Sequence, residues 1–351
     1  MTAAERPTTG TGSLGRNYHK LWSSSAISNL ADGVFVVALP LIAVRLTDSP
    51  MLVAGVSLAG RLPWLVFVLF AGALADRLDR RVTMRNVQLM RVAVVGAMAA
   101  MALTDTLSLP VLYLAAFVLG VGETLFDTAA QSIMPNIVSK DLLSRANGRL
   151  YAAELTMNSF IGPPLGGFLV AASVPVALGG SAIGYGLAAI GLALIVGSFK
   201  PAQVGPRQSM LREIREGFDF LWRNRVLRTL AVMVAISNLT STAVISVFVL
   251  FAVAPGPMGL DEVGYGLLIT AMAIGGLAGS VIEERVEAWI GRSGVLFAAV
   301  AIGGTVTLIP VLTAQPLVIA AGMMAMGAGF MMWNIITVSL RQRITPDHLL
   351  G

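Results

Sequence analysis

Cysteine is absent from the 351-residue chain, and histidine occurs only at His19 and His348. The first absence excludes disulfides, thiolate metal sites and cysteine nucleophiles. The second leaves no histidine cluster for a metal. Charge is scarce as well: 12% of the residues are Asp, Glu, Lys or Arg, against 56% hydrophobic ones. A soluble domain carries about 25% charged residues, and a soluble core of this length would leave most of its surface apolar. Lipid as solvent removes that difficulty. There is also no phosphate-binding P-loop and no zinc-binding HExxH. Neither an enzyme nor a nucleotide-driven pump is expected, and no cofactor is called for.

What is present is a series of long apolar runs. A hydrocarbon core of ~30 Å needs about 20 residues of helix, and ten stretches reach that length: 21–45, 51–75, 83–104, 108–130, 148–171, 174–198, 228–253, 264–282, 293–313 and 316–340. They are continuous rather than alternating, which excludes an outer-membrane barrel. The first is too long for a signal-peptide core and reads as a span. Residues 1–19, rich in Thr and Gly, read as a disordered cytoplasmic tail.

The net charge of +5 does not signal nucleic acid, because the basic residues lie beside apolar runs. Of the 24 Lys and Arg, 21 fall on one side of the alternating spans; Arg45 lies opposite, and Arg61 and Arg91 lie within spans. The positive-inside rule then places the N-terminus in the cytoplasm of a multi-pass cell-membrane protein. Between residues 199 and 227, Leu211, Ile214, Phe218, Leu221 and Trp222 share one helical face opposite Arg, Glu and Asp. This segment reads as an interfacial amphipathic linker.

The chain repeats itself. An offset of 207 carries Gly72 onto Gly279, Asp76 onto Glu283 and Gly120 onto Gly327, and an offset of 209 carries Ile27-Ser28-Asn29-Leu30 onto Ile236-Ser237-Asn238-Leu239. The expected fold is therefore all-α and polytopic, with two parallel pseudo-repeat bundles. Residues 20–198 form a six-helix bundle and residues 228–351 four helices of a second. A full six-plus-six repeat expects two further helices. A fragment, a truncated gene product and a functional short form all remain open on the sequence.

Between the second and third spans stands Gly72-Ala-Leu-Ala-Asp76-Arg77-Leu-Asp79-Arg80-Arg81. It resembles the signature of the major facilitator superfamily, G-x-x-x-D-R/K-x-G-R/K-R/K, with Asp79 in place of the usual glycine. Leu46-Thr47-Asp48-Ser49-Pro50, Arg61-Leu62-Pro63 and Gly162-Pro163-Pro164-Leu165-Gly166-Gly167 resemble the drug- and siderophore-exporter branch, of the macrolide and enterobactin type. The resemblance implies a monomeric secondary transporter exporting a small amphipathic molecule in exchange for protons, with Gly72, Asp76, Arg77, Arg80 and Arg81 at a cytoplasmic gate. Gly162-Pro163-x-x-Gly166-Gly167 resembles the core of the antiporter motif, although Asn158 stands where the family has an upstream glycine. Ordinary small-residue helix packing explains the same residues equally well. The signature does not set the direction of transport.

Ionisable groups inside the bilayer are costly and mark function by default. At ~1.5 Å per residue, Asp32 and Arg61 lie at similar depths, which suggests a cavity pair with Asp32 as the proton carrier and Glu154 as the next candidate. Arg91, Glu123 and Asp127 with Glu154 lie nearer the cytoplasm, as either a gate network or a static ion-pair cluster. Inside the spans the second half shows only polar residues, such as Asn238, Thr240 and Asn334. The competing function is a non-transporting remnant or a membrane binding or regulatory subunit.

Overall fold

The computed structural model describes residues 14–67, 78–139, 142–197, 199 and 222–344. Gly72, Asp76 and Arg77 lie outside the described residues, as does most of the linker, from 200 to 221. Ten helices order the described chain. They are α1 Arg16–Leu46, α2 Pro50–Val66, α3 Arg80–Leu103, α4 Leu109–Ile137, α5 Leu143–Leu155, α6 Gly162–Ala172, α7 Val174–Ala193, α8 Arg225–Ala252, α9 Glu262–Leu312 and α10 Pro316–Ile344. A π-helical turn, Thr156–Ile161, joins α5 to α6. Gly291, at φ 72°, breaks α9 into two arms. Seven of the spans traced this way are long and apolar enough to cross a membrane, α5, the π turn and α6 counting together as one.

The outward faces confirm the solvent. Trp289, Phe297, Val311, Leu312 and Leu317 are each more than three-quarters exposed. Apolar exposure of that density is not tolerated on a soluble monomer. Inside, one core cluster runs through Val37, Leu41, Ile42, Val95, Leu112 and Tyr185, and a second through Tyr18, Leu21, Met84, Phe126, Ile133 and Leu192. Within the first half, α3 packs on α7, α1 on α7, and α2 on α4; in the second, α9 packs on α10.

The helix start corrects the tail boundary. Helix α1 begins at Arg16, inside the stretch assigned to a disordered 1–19, and Tyr18 is buried with its hydroxyl donating to Ala146 O at 3.0 Å. Composition averaged the polar neighbours, whereas Leu14, Tyr18 and Leu21 recur at helical spacing and bury one face.

Small residues set the crossings, as expected where packing rather than water drives helix association. A side chain at Gly33 would meet the backbone of Asn158 and Gly162 at 2.6–2.9 Å, so α1 rides directly on the π turn. That turn has a local cause. Pro163 and Pro164 offer no N–H to the preceding turn and crowd its carbonyls; the Gly162 N–H reaches instead to Met157 O, five residues back. Gly120 of α4 lies against Gly60 of α2, and Gly327 of α10 lies against Met272 and Gly276 of α9. The two glycines related by the 207-residue offset thus sit at corresponding crossings.

Candidate functional site

The membrane-embedded charges gather where α1, α3, α4 and α7 meet. Asp32 lies midway along α1, two residues after Leu30, where α7 packs on α1 and the Arg91 side chain reaches across from α3. Arg91 rises from α3 and is 1% exposed. Its Nη1 donates to Asp32 Oδ2 at 3.2 Å and to Ser28 Oγ at 3.1 Å. The Tyr185 hydroxyl, from α7, donates to the other carboxylate oxygen, Asp32 Oδ1, at 2.7 Å. Gln88, one turn before Arg91, donates to Ser28 Oγ at 2.7 Å. The guanidinium is sandwiched by rings, with its carbon 5.2 Å from the Tyr185 centroid and 5.7 Å from that of Phe126. Aromatic faces attract a desolvated cation, so the Arg91 guanidinium is contacted by one carboxylate, one hydroxyl and two π surfaces.

This geometry corrects the expected Asp32–Arg61 pair. Equal depth fixes one coordinate of a residue on a helix and leaves its azimuth open. Helix α2 packs on α4 rather than bringing Arg61 to Asp32. Arg61 is exposed, and it and Trp64 are electrostatic neighbours of Glu123 instead.

Arg91, Glu123 and Asp127, expected as a separate inner network, are not separate from Asp32. Glu123 and Asp127 of α4 both lie in the field of Arg91 and of Asp32, and Glu154 of α5 in the field of Glu123 and Asp32. Four carboxylates from three helices therefore share a neighbourhood with one buried guanidinium and the exposed Arg61. Only the Asp32–Arg91 pair is in direct contact among the described residues of this group. Glu154 is exposed. No set of three acidic or histidine ligands suited to a metal occurs among the described residues.

The glycine–proline motif on α6 joins the halves. Gly162 and Gly166 pack against the α1 backbone at Gly33 and Val34, and Gly167 packs against Glu262 and Val263 of α9. In return, a side chain at Gly266 of α9 would strike Pro163 and Pro164. Next to this crossing Arg45 Nη2 meets Glu262 Oε1 at 2.6 Å and Val170 O at 3.3 Å. This ion pair joins residues 217 positions apart, across the two repeats, at the end of the bundle opposite Arg16 and Arg80. At that other end Arg81 donates to Ile195 O at 2.6 Å, and the Arg80 N–H faces Phe199 O.

Sequence reading missed Tyr185, Ser28, Gln88 and Phe126, none of which is charged. A phenol in the Gly/Ala-rich α7 was the available signal. It also missed Glu283, counted as lying outside a span, which is 6% exposed within α9 and has one buried carboxylate oxygen with no hydrogen-bond partner among the described residues.

A helical membrane fold with a charge cluster around a buried arginine is in keeping with the major facilitator superfamily transporters, and similarity to known proteins establishes that membership. The chain superposes on the solved nucleoside transporter NupG with a TM-score of 0.69 at 13% identity, covering 95% of this chain and 84% of that one. Residues 15–351 match the family of transmembrane secretion effectors, and the chain belongs to that family. It is 28% identical over 342 residues to the multidrug efflux pump Tap of Mycolicibacterium fortuitum, covering 91% of this chain and 79% of that protein. It is 23% identical over 272 residues to macrolide efflux protein A of Streptococcus pyogenes, covering 74% and 65% respectively. It is a transporter and not an enzyme.

Proposed function

We propose that the chain is a proton-coupled exporter of small amphipathic molecules, of drug, macrolide or siderophore type, acting by alternating access. The observation that carries this reading is the buried Asp32–Arg91–Tyr185 cluster, set in a transporter fold whose relatives are named as drug and macrolide efflux proteins. A carboxylate held by a guanidinium and a phenol has two states of different charge. Ionised, it pairs with Arg91; protonated, it no longer attracts Arg91, and the helices carrying the two residues are free to shift. Rocking of one bundle against the other then alternates the exposure of the group. The glycine contacts and the Arg45–Glu262 pair close the end opposite the basic loops. Asp76, Arg77, Arg80 and Arg81 act as the gate at the basic end. The basic end lies in the cytoplasm of a cell-membrane protein, with residues 199–227 as an amphipathic linker on the same side and the chain working as a monomer.

Expression in a pump-deficient bacterium tests the reading. Cells carrying the chain are expected to hold several-fold less labelled macrolide at steady state than empty-vector cells. A protonophore should erase the difference. Equal accumulation across a panel of macrolide, dye and siderophore-type probes, with the chain present in the membrane, points to the non-transporting alternative.

A further inference from the structure

Residues 194–197 and Phe199 follow α7 across the ends of two other helices, and backbone groups of Leu194, Ile195, Val196 and Phe199 are taken up by side chains from both. From α1, Lys20 donates to Leu194 O, while Asn17 pairs with Val196 twice, donating to its carbonyl at 2.8 Å and accepting from its N–H at 3.2 Å. From the start of α3, Arg81 donates to Ile195 O, and Asp79 accepts from the Phe199 N–H at 3.0 Å. Gly197, at φ 129°, turns the chain so that the Phe199 ring folds back against it, and Ile195 and Phe199 are buried in the core beside Tyr18 and Met84. Asp79 serves both sides of this joint. Its Oδ1 caps α3 by accepting from the Arg81 and Val82 N–H groups at 3.1 and 3.2 Å, and its Oδ2 holds Phe199. Glycine, the usual residue at this place in the signature, can do neither.

We propose that Asp79 is a positioning residue that fastens the segment leaving α7 to the end of α3, as Asn17 and Lys20 fasten it to the end of α1, so that movement of this segment reaches the Asp32–Arg91 pair. The two fastened helices are the two that carry the pair. Lys20 and Asp32 lie about 18 Å apart along α1, and Arg81 and Arg91 about 15 Å apart along α3, at the helical rise. Helices transmit such displacements as rigid bodies. The fastening stands on the contacts alone, whereas its effect on the pair rests on the transporter reading above.

The test uses the full chain in lipid nanodiscs and proteoliposomes. In Asp79→Asn the remaining carbonyl still caps α3, but an amide NH2 group faces the Phe199 N–H. Hydrogen exchange at Phe199 is expected to speed up about tenfold, the equivalent of one lost hydrogen bond, with Arg81 and Val82 little changed. Asp79→Gly should expose all three amides. Asn17→Ala should release Val196 instead, which keeps the test open if an Asp79 variant folds poorly. In transport, Asp79→Asn should lower turnover and shift its pH dependence while leaving KM for the macrolide probe unchanged. Unaltered exchange at Phe199 overturns the fastening. Faster exchange with an unmoved pH profile overturns the link to the pair and leaves a structural joint. A wild-type chain that moves no probe defeats the transporter reading and with it the link, while the exchange data still decide the fastening.

Discussion

Replacing Arg91 with methionine is expected to be the most destabilising single change in the first bundle. Methionine keeps much of the volume between Phe126 and Tyr185 but removes the one buried cation among Asp32, Glu123, Asp127 and Glu154. Breaking a buried pair by deleting one partner costs on the order of 3 kcal/mol, because the survivor is left uncompensated. The detergent-purified variant should therefore unfold at a clearly lower temperature. Adding Asp32→Asn should restore part of the loss, as contacting groups couple non-additively. Equal melting of Arg91→Met and wild type would mean that the guanidinium is not holding the site together.

Asp32→Asn alone should behave differently. Arg91 keeps Ser28, two aromatic faces and the nearby carboxylates of α4, so the bundle should still assemble. What disappears is the titratable group in direct contact with Arg91. In proteoliposomes with an imposed pH gradient, uphill accumulation of labelled macrolide should fall to background, while downhill exchange remains measurable. A static pair predicts instead a failure to fold or insert that neutralising Arg91 repairs. If Asp32→Asn accumulates substrate against a gradient with the normal pH dependence, the coupling assignment passes to Glu154, the exposed carboxylate of the same neighbourhood.

The membrane fold was legible because a span is a one-dimensional signal: about 20 apolar residues with basic flanks. Small-residue crossings were legible in kind but not in partner. The 207-residue offset singled out Gly120, yet only the fold shows that Gly60 lies opposite. The site was half legible. Asp32 and Arg91 stand out as charges in apolar runs, but their pairing depends on which way each helix is turned, and depth along the helix does not carry that. Tyr185 and Ser28 were silent because a hydroxyl in a helix is satisfied by its own backbone as readily as by a distant carboxylate. Arg45–Glu262 was hidden for another reason: each residue sits in a loop-proximal position where charge is ordinary, and only the meeting of the two repeats makes them a pair. At Asp79 the departure from the family pattern was visible, and its purpose was not.

Alternating access through this end of the bundle can be tested because the chain has no cysteine of its own. Arg45→Cys together with Glu262→Cys puts the only two thiols on opposite halves. A membrane-impermeant, reducible bifunctional thiol reagent, long enough to replace the two removed side chains, can then tie the halves together in intact cells. Before treatment the double variant should export labelled macrolide. After crosslinking, export should stop, and a reductant should restore it, with either single cysteine unaffected throughout. Undiminished export by the crosslinked protein would contradict the account, because the halves would then not need to part at Arg45 and Glu262 for transport to occur.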